Sequence, residues 1–352
     1  MRGLIASLAG LVVVVAGVAR SEGQVPNVFN MPAGETSLQF VTVGNPGNAA
    51  DSTGYGAVPY TYRMGMYDVT TAQYCQFLNA VAQTDTYGVY YAGMGTDFPN
   101  NLGVNLGNSF SANIGISQSG SSGSYTYSVM GNGNMPVFDV SWGDAARFCN
   151  WLQNGQLSGP EGNGTTETGA YTLNGATSIA ALMAVNRNAG ATYFIPSENE
   201  WYKAAYYDPT LNGGAGAYWT YPTKSNTAPS NVLSASGTNN ANYYNGGYSD
   251  PTNYLTPVGY FAGSPGAYGT YDMGGDVWQW NEANIGGSER GVRSGSFGDD
   301  SGHLASSFGN AGYPTYESAY VGFRVAGTPE PGSITLLVAG AIAGLVCWRR
   351  WR

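Results

Sequence analysis

The chain has 352 residues, 43% of them hydrophobic and only 10% charged, with a formal net charge of −9. That length holds one large domain or two small ones, and the acidic balance excludes a phosphate-backbone binder, so no nucleic-acid partner is expected. With 53 glycines and 27 tyrosines, long Gly/Asn/Ser/Tyr runs between short apolar stretches predict a loop-rich domain.

From the N-terminus, Arg2 and the apolar run GLIASLAGLVVVVAGVA, with small residues near Ala19 and Ser21, read as a signal peptide over 1–21. An uncleaved membrane helix is the alternative. Residues 22–36 read as a short leader. From 37 to 327 no charged or Pro-rich linker divides the chain, which reads as one domain.

Three helices carry capping-box spacing, in which a Ser or Thr is followed three residues later by a side chain able to reach back. They are TTAQYCQFLNAVA from Thr70 and Gln73, SWGDAARFCNWLQNG from Ser141 and Asp144, and SENEWYKAAYYDP from Ser197 and Glu200. Tyr74, Cys75, Leu78 and Val81 share one face of the first; Trp201, Ala204 and Ala205 face inward on the third. Gly155 and Pro209 stop the second and third. Short strands are predicted at 39–43, 62–66, 192–195, 277–280, 291–297 and 320–325. The stretches 84–134 and 154–190 read as long surface loops or small hairpins. Few helices, short strands and long loops make an irregular α+β domain.

Cys75 and Cys149 lie on predicted helices of an expectedly exported domain, where a Cys75–Cys149 disulfide competes with two separate buried thiols. Trp278 and Trp280 alternate along the strand at 277–280; Trp278 reads as core and Trp280 as partly exposed, an assignment that periodicity alone does not decide. Arg324, in VGFRVA, reads as a buried, hydrogen-bonded structural arginine.

At the C-terminus, TPEPGSITLLVAGAIAGLVCWRRWR joins a Pro-Glu-Pro triplet (Pro329, Glu330, Pro331), an apolar helix over about 334–348 and a basic end. Such a helix rises only about 22 Å, slightly short of a ~30 Å hydrocarbon core. Arg349, Arg350 and Arg352 mark the cytoplasmic side. The arrangement resembles the PEP-CTERM sorting signal of Gram-negative bacteria. That resemblance implies an inner-membrane-anchored precursor over 328–352, processing by an exosortase near the triplet, and a mature protein at the cell surface or in the extracellular matrix. A simple tail anchor is the alternative. Removing both ends takes away Arg2, Arg20, Arg349, Arg350 and Arg352, five of the 13 basic residues, and leaves a domain with a charge near −14 that suits cations or a solvated surface.

Four segments in order, YRMGMYDVTTAQYCQFLNAV, MPVFDVSWGDAARFCNWL, YFIPSENEWYKAAYY and YGTYDMGGDVWQWNEAN…RGVRSGSF…YVGFRVA, resemble the sulfatase-modifying factor domain, the fold of formylglycine-generating enzyme. The resemblance spans 37–327 and implies a variant of the C-type lectin fold with little regular secondary structure. It also implies copper held by two cysteines, the first two residues after a GSY/GSF triplet and the second five residues further on. Here the triplet is Gly295-Ser296-Phe297, and those positions are Asp299 and Leu304. Copper(I) requires soft sulfur, so no copper is expected. The chain has one histidine, which excludes a multi-His centre. The helical iron-binding domain of related ergothioneine-synthase-type enzymes has no counterpart before residue 37.

The resemblance further implies structural calcium. One set maps to Asp272, the Gly275 and Val277 carbonyls and Gln279; the second to Asn242, the Tyr243 carbonyl, Asp250 and the Thr252 carbonyl. All are oxygen donors, as calcium requires. The alternative for the first set is that Asp272 and Gln279 cap a tight Gly-Gly turn.

The loop after the triplet holds Asp299, Asp300, His303, Phe308, Tyr313 and Tyr316. A His/Asp general-base pair is conceivable there, against a simple solvated His. No activated Ser or Cys motif accompanies it, and Tyr/Ser/Gly/Asn mixtures resemble adaptable binding surfaces. The expected function is a noncatalytic exported module binding an exopolysaccharide or a surface protein. The alternative is a formylglycine-generating-type oxidoreductase working without the usual cysteine pair.

Overall fold

In the computed structural model, which describes residues 27–29, 38–96 and 113–329, all three capping boxes close as their spacing predicts. Strands β1 (Asn27–Phe29), β2 (Leu38–Val43) and β3 (Tyr62–Gly65) precede helix α1 (Thr71–Val81), where the Thr70 hydroxyl accepts from the Gln73 amide and Gln73 reaches back. A hairpin of β4 (Gly115–Ser119) and β5 (Thr126–Met130) follows. Helix α2 (Trp142–Gln153) opens on the Ser141–Asp144 box, and the short α3 (Ile179–Met183) is capped by Ser178. After β6 (Tyr193–Phe194), α4 (Glu198–Tyr206) opens on the Ser197–Glu200 box. Then come β7 (Tyr207–Asp208), α5 (Leu211–Gly214) and β8 (Ala217–Tyr218). The last strands are β9 (Trp278–Ile285), β10 (Glu289–Arg293), β11 (Asn310–Gly312), β12 (Val321–Gly322) and β13 (Ala326–Gly327).

Two sheets organise the domain. One has the order β1-β2-β3-β13-β6, the other β11-β10-β9-β12, with β12 running parallel to β9. The strands differ from the sequence reading at both ends of the domain. Residues 22–36, read as a leader, supply β1, which pairs antiparallel with β2 from Asn27↔Phe40 to Phe29↔Leu38. The single strand predicted over 320–325 divides, because the chain leaves one sheet after Gly322 and joins the other at Ala326. The strand predicted over 291–297 stops at Arg293, since Ser294 (φ 101°) and Gly295 (φ 67°) turn the backbone out of the ladder.

Phe323, Arg324 and Val325 cross between the sheets, all buried. Arg324 Nη1 donates to the Gly65 carbonyl of β3 (2.6 Å), Nε to Gln279 Oε1 of β9 (2.9 Å), and Nη2 to the Tyr271 carbonyl (2.7 Å). Nη2 also faces the Asp68 carboxylate at 3.4 Å. The guanidinium therefore rivets both sheets, as the sequence reading of this residue anticipates.

The core is built by α1, α2 and α4 against the sheets. Tyr74, Phe77, Phe148 and Trp151 pack ring to ring between α1 and α2. The long loop 154–190 is tied to α2 by the buried Arg147–Glu167 pair at 2.8 Å. Arg187, at its end, bridges Glu200 of α4 (2.7 Å) and Glu282 of β9 (2.6 Å).

Cys75 and Cys149 remain two buried, unlinked thiols on α1 and α2, so the disulfide alternative is corrected. Trp280 is also corrected. It is fully buried and donates its indole N–H to the Val140 carbonyl at 2.8 Å, while Trp278 is 7% exposed. Both faces of β9 are covered, so alternation carried no inside–outside information. Among the described residues no helix is long and apolar enough to cross a membrane; the helix expected over 334–348, Glu330 and Pro331 and the signal peptide lie outside them.

Candidate functional site

The turn after β10 begins the site. Ser294 Oγ donates to the Gly275 carbonyl (3.0 Å) while the Gly275 N–H donates to the Ser294 carbonyl (2.9 Å), which fixes the triplet against the Gly-Gly turn. Phe297 then stacks on Tyr320, ring centres 5.0 Å apart. Asp299 closes the next turn by accepting from the Ser296 N–H at 3.0 Å and from the Ser296 hydroxyl. Asp300 caps a single helical turn over Ser301–Leu304 through the Gly302 N–H (2.8 Å). Leu304 points inward, fully buried, and its carbonyl accepts from Tyr206 (3.1 Å).

The two positions where the resemblance places copper thiolates are thus filled by a turn-closing carboxylate and a core leucine. Cys149 is fully buried, and burial pushes its thiol well above the usual range. Cys75 lies on a different groove, beside Asn79 and Trp151. A pair of soft ligands cannot be assembled from these residues, so copper chemistry has no footing here.

What the loop does form is a pocket of about 290 Å³. Its walls come from β9 (Trp278, Trp280), β10 (Val292), β11 (Asn310, Ala311, Gly312), the Gly298–Asp299 turn, and Tyr316, Tyr320 and Val321 on the returning segment. Two glycines make it possible by close approach. A Cβ on Gly298 would sit 2.7 Å from the Tyr320 ring, and one on Gly312 would sit 3.1 Å from Trp280. Tyr316 stands at the rim, 49% exposed. Arg293 holds the floor of the loop. It pairs with Glu198 of α4 at 2.6 Å and donates to the carbonyls of Ser306 (3.0 Å) and Phe308.

Of the residues read from sequence as a ligand surface, the structure brings Asp299 and Tyr316 to this pocket. Phe308 lies behind it, packed on His303 (4.4 Å) and Trp278 (6.0 Å). His303 Nδ1 meets Asp300 at 3.0 Å, an exposed local contact within one helical turn that holds the Asp300 carboxyl below its usual range. Tyr313 and Asp300 are exposed and do not line this pocket. The sequence reading missed Trp280, Asn310 and Gly312; only their pairing across β9, β10 and β11 brings them together.

The calcium sets can be tested by where each oxygen points. Gln279 Oε1 already accepts from Trp201 Nε1 (2.8 Å) and Arg324 Nε (2.9 Å). The Asp272 carbonyl accepts from Gln279 Nε2 (2.7 Å), and its carboxylate from the Gly259 N–H (2.6 Å). The Arg324 guanidinium also acts on Asp272, holding its carboxyl down against the burial that raises it to about 6. With a buried cation already resident, Asp272 and Gln279 do not fit as calcium ligands; they lock the turn, the alternative reading. In the second set Asp250 closes its own turn through Thr252 and Asn253, and Asn242 Nδ2 donates to Asp276 (2.7 Å) and the Tyr254 carbonyl (2.8 Å). Tyr243 O accepts from Asn231 and Ser249. Asp250 and the Tyr243 carbonyl are thus committed to the protein's own loops, whereas Asn242 Oδ1 is buried with no hydrogen-bond partner among the described residues. Among the described residues no cluster of three or more His, Cys, Asp or Glu is arranged to hold a metal.

A search of solved structures finds Treponema denticola variable protein 1 at 17% identity and a TM-score of 0.51, covering 87% of this chain and 99% of that one. CarF aligns at 18% identity, TM-score 0.45, over 83% of this chain and 99% of its own. PvdO from Pseudomonas aeruginosa aligns at 17%, TM-score 0.47, over 86% and 98%. At such identities the likeness concerns the fold alone. A search of curated proteins finds no match. The family described as "Sulfatase-modifying factor enzyme 1-like domain" matches residues 17–329, and on that span the chain belongs to this family, with the irregular α+β, C-type-lectin-like fold that goes with it.

Proposed function

We propose that the protein is an exported, noncatalytic member of its family that holds a neutral glycan in the pocket between β9, β10, β11 and the Gly298–Val321 loop. The observation that carries this reading is that one loop both lacks the reactive thiols and builds an aromatic-walled pocket. Tyr316 and Tyr320 offer flat faces for the apolar side of a sugar ring, and Asp299 and Asn310 offer polar edges for its hydroxyls. The volume lies at the small end of ligand sites, the scale of a terminal sugar unit. The acidic domain disfavours an anionic glycan.

Two expected outcomes test the framing. With copper and a reductant supplied, the protein converts no cysteine of a sulfatase-type peptide to formylglycine. Mass spectrometry showing product above a no-protein control would restore the oxidoreductase alternative. For export, we propose that the Pro329-Glu330-Pro331 triplet is read by an exosortase. Intact-mass analysis of protein from the native cell surface should show a chain lacking the residues after the triplet, and a mature species ending at Arg352 would leave a membrane-anchored domain instead.

A further inference from the structure

We propose that the pocket selects a sugar bearing an acetamido group, with Asp299 taking its N–H, Asn310 its carbonyl and a slot over Gly312 its methyl. This names the ligand class of the site described above and rests on the glycan reading.

The two polar side chains of the pocket are held in opposite senses by their own neighbours. Asp299 Oδ2 accepts from the Ser296 N–H (3.0 Å) and the Ser296 hydroxyl, which fixes the carboxylate. Its other oxygen, Oδ1, meets no donor among the described residues. An ionised carboxylate only accepts hydrogen bonds, and no Lys, Arg or His lines the pocket to neutralise it. Asn310 Oδ1 accepts from the Ala311 N–H (2.9 Å), so the amide cannot turn over without losing that contact. Its Nδ2 is left as a donor with no partner among the described residues. The pocket thus offers one committed acceptor and one committed donor.

The apolar part lies on the same face of β11, because Asn310 and Gly312 are two residues apart on that strand. A Cβ on Gly312 would lie 3.1 Å from Trp280 Cη2 and 3.8 Å from Tyr316 Cδ1. Glycine therefore leaves open a slot of about one methyl group, walled by two rings. An acetamido group carries the matching three parts in one plane: an N–H for Asp299, a C=O for Asn310 and a CH3 for the slot. A hydroxyl donates or accepts alike, so a committed pair does not select it, and it leaves the slot without an apolar occupant. A free ammonium suits Asp299 and the rings but sets donor against donor at Asn310.

Matched sets of immobilised terminal sugars test this: N-acetylglucosamine, glucosamine and glucose, with the galactose counterparts of all three, probed with the purified, labelled full chain. In at least one of the two sets, wild type should hold the acetamido sugar roughly tenfold more tightly than its hydroxyl and amine counterparts. That is the size of one hydrogen bond to a charged group at a half-exposed site. Asn310→Asp turns the committed donor into an acceptor. Asp299→Asn puts an NH2 in place of Oδ1, because the Ser296 N–H still claims an oxygen. Gly312→Ala fills the slot. Each should erase most of the preference for acetamido over hydroxyl, and Asn310→Asp, at an exposed position, serves if the other two misfold. Equal retention of acetamido and hydroxyl sugars, lost in Tyr316→Ala, would overturn this inference and leave the glycan reading standing. So would stronger retention of the amine, or a preference that a folded Asn310→Asp leaves unmoved. Retention of none of these sugars would defeat the inference together with the reading beneath it.

Discussion

Arg324→Ala is expected to lower folding stability by roughly 3–5 kcal/mol, the cost of breaking a buried ion pair by removing one partner. The side chain is fully buried and spans both sheets through the Gly65 and Tyr271 carbonyls and Gln279. Its removal strands the Asp68 carboxylate, whose pKa burial already raises well above the usual range and which Arg324 alone among its strong neighbours pulls back down. Two carbonyls and an amide oxygen lose a donor at the same time. Lysine should not rescue, because a single ammonium cannot reach acceptors on β3, β9 and the 271 turn together. Asp68→Asn combined with Arg324→Met should recover part of the loss, since the stranded charge is then gone. Urea unfolding measures this, and a loss in Arg324→Ala below about 1 kcal/mol would contradict the rivet.

Arg293→Ala is the second large effect, expected at about 2–3 kcal/mol. Arg293 joins β10 to Glu198 on α4 and holds the carbonyls of Ser306 and Phe308, with its guanidinium over the Tyr55 and Tyr202 rings. Without it Glu198 keeps, among the described residues, the Asn281 amide at 2.6 Å. The loop behind the pocket then loses its tether, so Phe308 should leave Trp278 and His303. Faster proteolysis within 300–309, together with the stability loss, is the expected signature. Resistance equal to wild type would show that the loop is held by its apolar contacts instead.

The elements that could be read from the sequence are those whose signal is local. Each capping box is closed by residues three apart, and all three helices begin where Thr70, Ser141 and Ser197 indicate. Arg324 was legible because an arginine inside an apolar run must find acceptors. Trp280 was not, since period-two alternation distinguishes faces only when one face meets water, and β9 meets none over its first four residues. β1 was hidden because a three-residue strand has no pattern of its own and exists by pairing with β2. Asp272 and Gln279 were legible as oxygen donors, but not as oxygens already engaged: Arg324 lies 45 residues from Gln279 in sequence. The pocket was half legible. Asp299 and Tyr316 belong to the loop that the triplet marks, whereas Asn310 and Gly312 join only through the β10–β11 register, with Val292↔Asn310 and Arg290↔Gly312.

Glycan recognition by the pocket is tested most directly by applying the purified, fluorescently labelled protein to an array of immobilised neutral and anionic oligosaccharides. Wild type should retain a neutral glycan. Tyr316→Ala and Tyr320→Ala, which each remove one stacking face, should weaken that retention roughly tenfold, about 1.4 kcal/mol, without loss of fold. No retained glycan, or retention that both variants leave unchanged, would contradict the assignment of this pocket as the binding site.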